Sequence, residues 1–108
     1  MRNLTLLVLG LLVAVSARAE VDKKAERNWK GKCASCHGAD GKGQTDQGKK
    51  LKLADLSSAE AQKKSDAEIH DVIANGVKKG DAEMEGYKDK LDAASIDGLV
   101  AYVRTLKK

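Results

Sequence analysis

The sequence predicts a small all-α fold in a single domain, with three main helices wrapped around one covalently bound prosthetic group. Three observations carry that expectation. Apolar residues recur at helical spacing in three separate segments, no alternating β-branched run suggests a strand, and both cysteines of the chain fall in one pentapeptide, Cys33-Ala34-Ser35-Cys36-His37. C-x-x-C-H is the attachment signature of c-type haem. Two thiols spaced this way reach the two vinyl groups of one macrocycle, and the histidine that follows lies under the iron, where its imidazole can bind. The composition agrees. A chain with no Phe, one Trp and two Tyr has few large side chains for a core, and a small domain of this kind needs a staple.

Taken in order, residues 1–19 read as a secretory signal peptide. Arg2 supplies the positive start, Leu4 to Val15 form an apolar run broken only by Thr5 and Gly10, and Ala17-Arg18-Ala19 is an A-x-A cleavage site. The run is shorter than the ~20 residues that a membrane span requires. The mature domain is therefore expected to be residues 20–108, exported to the periplasm, where c-type haem is attached. The first helix is expected from about Asp22, its N-cap, to Lys32, with Val21, Ala25 and Trp29 on one stripe. Residues 38–50, rich in glycine, read as a loop that turns the chain around the haem edge. They lack the spacing and the preceding strand of a phosphate loop. Leu51, Leu53 and Leu56 follow as apolar contacts on the His37 side.

Ser65-Asp66-Ala67-Glu68 is a capping box that opens the second helix; Ile69, Val72 and Ile73 form its apolar face and Asn75-Gly76 closes it. Residues 77–87 read as a loop. The third helix starts at Asp92 as N-cap and presents Ile96, Leu99, Val100, Val103 and Leu106. Gly98 inside it costs about 1 kcal/mol against Ala, which a close crossing with small Ala25 on the first helix would offset.

Other uses of the motif fit less well. A thioredoxin-like pair would follow a strand in a βαβ unit, whereas a lysine-rich helical pattern precedes Cys33. A zinc site needs about four ligands; Cys33, Cys36 and His37 are crowded together and the other histidine, His70, is distant. A disulfide between the two cysteines would leave His37 unexplained. Nucleic acid is a poor partner. Arg2 and Arg18 leave with the signal, which takes two charges from the formal +4; two haem carboxylates would offset the rest, and no basic stripe interleaves with aromatics.

The second axial position decides the chemistry. Met84 is the lone methionine after Met1, set between Glu83 and Glu85 with no apolar stripe to belong to, and is the expected distal ligand. His70 is the rival, although its phase on the second helix follows Asp66 and Ala67 rather than the apolar face. Lys78 or Lys79 could bind iron at high pH.

With these residues in place the chain resembles the class I monohaem cytochromes c of the small bacterial periplasmic group. The resemblance rests on Trp29 ahead of Cys33-Ala34-Ser35-Cys36-His37-Gly38, the run Gly38-Ala39-Asp40-Gly41-Lys42-Gly43, Gly48-Lys49-Lys50-Leu51, Met84, and Leu99-Val100-Ala101-Tyr102-Val103-Arg104. It implies the cytochrome c fold, thioether attachment of one haem c at Cys33 and Cys36, and iron bound by His37 and Met84. The family often carries a proline after the histidine and another beside the methionine; this chain has none, and a backbone carbonyl near Leu51 is expected to accept the His37 N–H instead. The resemblance implies a monomeric, soluble periplasmic electron carrier rather than an enzyme. It would shuttle one electron between redox partner proteins, a reductase and an oxidase, with Lys42, Lys49, Lys50, Lys78 and Lys79 available to steer an acidic partner. Two alternatives stand beside it: a haem peroxidase or small-ligand sensor with a labile distal Met84, and a haem c subunit of a larger redox complex.

Overall fold

The structure is a computed structural model that describes residues 17–107; the signal peptide expected over residues 1–19 falls almost wholly outside the described residues. Six helices and one hairpin follow in order: α1 (Ala17–Asn28), a π-helical turn (Trp29–Cys33), α2 (Ala34–His37), α3 (Asp46–Leu51), α4 (Ala59–Gln62), α5 (Asp66–Asn75), β1 (Val77–Lys79), β2 (Ala82–Met84) and α6 (Ala93–Thr105). The fold is mostly helical, as expected. Among the described residues no helix is long and apolar enough to cross a membrane.

The first helix departs from expectation at both ends. Its described part runs from Ala17, so Asp22 lies inside it and is not its N-cap. Ala, Arg and Glu between Ala17 and Asp22 all favour helix. At the other end the helix passes through the π turn into α2 and reaches His37. The π turn has a mechanical effect. An α-helix advances about 100° per residue, so each i, i+4 step drifts by about 40°; a turn closed by i→i+5 bonds rotates less per residue and takes that drift back. Ala25, Trp29 and Cys33 are consequently all buried, at 2%, 2% and 8% exposure.

The second and third main helices form as their caps dictate. The Ser65–Glu68 capping box is complete and Gly76 ends α5. Asp92 caps α6, its carboxylate accepting from the Ser95 N–H at 2.8 Å. The helix then buries Ile96, Gly98, Leu99, Val100 and Val103. Packing of α1 on α6 is the most extensive contact between elements, and Ala25 and Gly98 are both buried. The core gathers Trp29, Ile73, Tyr87, Ile96, Leu99 and Val103.

The intervening segments are more ordered than loops. Thr45 caps α3 by accepting from Gly48 N–H at 2.8 Å while its hydroxyl donates to the Cys36 carbonyl at 2.6 Å. Ser58 caps the short α4. Gln62 then donates to the carbonyls of Leu56 (2.8 Å) and Val103 (3.0 Å), and Arg104 donates to the Gln62 carbonyl (2.8 Å), the Lys64 carbonyl and Asp66 (2.9 Å). This pair ties residues 56–66 to the end of α6.

Residues 77–84, expected as loop, form a two-stranded antiparallel hairpin with Val77 opposite Met84, Lys78 opposite Glu83 and Lys79 opposite Ala82. A two-residue Gly80-Asp81 turn joins the strands, a hairpin signal with glycine first. Three-residue strands are too short to show the alternation that would reveal them.

Candidate haem site

The site is built on the elements that flank one cavity of about 400 Å³. The π turn contributes Trp29 and Cys33, α2 contributes His37, and α5 contributes Ile69, Val72 and Ile73. Leu99 and Val103 come from α6, Met84 and Lys79 from the hairpin, and Leu56, Ser58, Glu60 and Lys64 are among those from the segment before α5. The structure therefore brings Cys33, His37 and Met84 onto one cavity. Cys36 is half-buried and does not line it; three residues past Cys33, it sits on the adjoining side of the helical turn, with its carbonyl held by Thr45.

His70 does not reach the cavity. Its Nδ1 lies 2.7 Å from Asp97 Oδ1, across the outer seam between α5 and α6. Strand alternation separates the two candidate lysines: Lys79 lines the cavity and Lys78 does not. Leu56 is on the cavity as expected, while Leu51 and Leu53 are half-buried away from it.

His37 is fixed by its backbone and by its neighbours. Its carbonyl accepts from Gly43 N–H at 2.8 Å. The Trp29 indole N–H donates to the Gly38 carbonyl at 3.1 Å, and the Trp29 and His37 rings lie 5.9 Å apart. Burial holds the His37 imidazole below its ordinary histidine value, so it is neutral at neutral pH, the form that binds a metal. The expected carbonyl near Leu51 does not pair with it: His37 Nδ1 is buried without a hydrogen-bond partner. Lys52 adopts a left-handed conformation at the end of α3, and the Gly48 and Lys49 carbonyls close onto the Leu53 and Lys52 N–H groups.

Burial pushes the Cys33 thiol up to about 11, keeping it protonated at neutral pH. That opposes a redox-active pair, which needs a thiolate. Met84 is positioned from behind. Gly76, at φ 81°, is so close to the Met84 carbonyl that any Cβ there would collide with it, and the chain beyond returns to α5 through Tyr87 N–H to the Ile73 carbonyl at 2.9 Å.

The residues fit a haem. A mainly apolar recess of this size leaves its walls facing water unless something fills it. A flat apolar macrocycle would fill it, the orphaned imidazole supplies a metal-binding group, and Cys33 stands at its wall. Sequence reasoning missed Ser58, Glu60 and Lys64 at the rim, which no local pattern marks.

Fold and site define a c-type cytochrome, and comparison with known proteins gives the family. The chain belongs to the family described as "Cytochrome C oxidase, cbb3-type, subunit III", which matches residues 20–103. Among solved structures, it is similar to the KustC0563 c-type cytochrome, with 34% identity and a TM-score of 0.69 over 78% of this chain and 98% of that one. No curated protein matches it. Membership implies haem c with its iron.

Proposed function

We propose that the protein is a periplasmic one-electron carrier, released by cleavage after Ala19, with one haem c attached through Cys33 and Cys36 and its iron bound by His37 and Met84. The observation that carries this reading is the single cavity shared by Cys33, His37 and Met84. Bound haem c supplies exchange between Fe(II) and Fe(III). The chain's own residues set the terms of that exchange. His37 would offer a neutral imidazole and Met84 a thioether to the iron, and with both bound no position would be left for oxygen or peroxide. A thioether in place of a second histidine also raises the reduction potential. The apolar walls from α5 and α6 surround the metal-binding groups, and the short links from Trp29 to the Gly38 carbonyl and from Gly43 to the His37 carbonyl fix the backbone that carries His37.

The family description names a subunit of a cytochrome c oxidase, which supports an oxidase-class redox partner and keeps the subunit reading beside the free carrier. Recovery of the protein from periplasm by itself is expected for the carrier; co-purification with a membrane oxidase would assign it to the complex. The alternative of a peroxidase or ligand sensor is tested by carbon monoxide. The reduced protein is expected to leave its visible spectrum unchanged when the gas is added, whereas rapid binding would establish an open or labile position and overturn the carrier.

A further inference from the structure

The cavity lining carries charge at very few points. Besides Cys33 and His37 its ionisable side chains are Glu60, Lys64 and Lys79, and the rest of the lining is mostly apolar. Neither Lys64 nor Lys79 belongs to an ion pair among the described residues; the four pairs there are Lys30–Glu26, His70–Asp97, Lys90–Glu85 and Arg104–Asp66. Haem bears two carboxylates on the edge away from the vinyl carbons that the thiols take. A carboxylate drawn against an apolar wall needs a charged partner, since an unpaired charge withdrawn from water is costly and a charge-assisted hydrogen bond is the strong remedy. The two cations of the lining equal the two carboxylates in number and are opposite in sign.

The hairpin adds a second consequence. Side chains alternate along a strand, and with Val77 opposite Met84 and Lys79 opposite Ala82, Lys79 and Met84 share one face of the hairpin. Lys78 and Glu83 share the other. Lys79 and Met84 both line the cavity and Lys78 does not. Lys64 stands on separate support, its carbonyl held by Arg104 at the end of α6.

We propose that Lys64 and Lys79 hold the two haem carboxylates, and that Lys79, by doing so, clamps the hairpin that presents Met84. The inference rests on the haem reading above and assigns residues to a part of the cofactor that the attachment motif leaves open. A cation close to the macrocycle favours the reduced, less positive state, so its removal lowers the reduction potential. The clamp makes displacement of the Met84 sulfur harder.

Potentiometry and an imidazole titration on the haem-loaded variants test it. Lys64→Gln and Lys79→Gln are each expected to lower the reduction potential, and Lys78→Gln, next in sequence and also exposed, to lower it far less. In the ferric Lys79→Gln protein, severalfold less imidazole is expected to remove the red sulfur-to-iron absorption band. Lys79→Arg restores the wild-type response, and Lys64→Gln leaves the titration unchanged. Equal effects of Lys78→Gln and Lys79→Gln would reduce both to diffuse surface charge and overturn the proposal. A wild-type protein without the sulfur band would remove Met84 as ligand, while the potentials of the three glutamine variants would still decide the carboxylate assignment.

Discussion

At the residue scale, two helical turns do most of the chemical work. Cys33 closes the π turn, and burial holds its thiol protonated; Cys36 and His37 follow on α2, with the imidazole kept neutral by the same burial. Since either thioether alone can hold the macrocycle, Cys33→Ala or Cys36→Ala is expected to retain covalent haem. The double substitution is expected to lose it, as read by haem staining after denaturing electrophoresis. Loss of stain from the Cys36→Ala variant alone would show that Cys33 does not form a bond of its own. His70, by contrast, is spent on Asp97 across the α5–α6 seam, so His70→Ala is expected to leave the haem spectrum unchanged.

At the element scale, caps and close backbone approaches set the geometry. Hydrogen bonds from the Ser95 side chain and backbone hold the Asp92 carboxyl below its ordinary value of 3.8. A depressed native value stabilises the fold above the unfolded value, and that contribution disappears as pH falls through the native one. The melting temperature of Asp92→Ala should therefore lie below wild type at pH 7, with the gap closing in acid; a gap that persists at pH 2 would contradict the cap. At Gly48 an added Cβ would strike the Gly43 carbonyl and come within 2.7 Å of the Cys36 carbonyl. Gly48→Ala is thus expected to cost about 1–3 kcal/mol in denaturant unfolding. The features read correctly from sequence are of this local kind: the capping box at Ser65, the Asp92 cap and the haem motif each declare themselves within five residues. The π turn stayed hidden because Ala25, Trp29 and Cys33 at four-residue spacing suit a plain α-helix equally well. The hairpin stayed hidden because three residues per strand show no period. The Gln62–Arg104 hub joins residues 42 apart, and Lys64 is tied to the end of α6 through it.

At the scale of the whole molecule, the fold is organised around a space that its own side chains do not fill. The α1–α6 crossing, α5 and the hairpin meet at the cavity, and the sparse aromatic complement, one Trp and two Tyr, leaves the cofactor to complete the core. If the protein is exported as proposed, the form recovered from periplasm is expected to begin at Glu20 by intact mass. A mass retaining residues 1–19 would replace the released carrier with an anchored one. That His37 and Met84 both bind one iron in that cavity is tested by the visible spectrum of the ferric and dithionite-reduced protein beside Met84→Ala. The expected result is sharp reduced haem c bands in both, with the weak red sulfur-to-iron band in the ferric wild type alone. Haem c bands with no sulfur band in the wild type, or one that survives Met84→Ala, would contradict it.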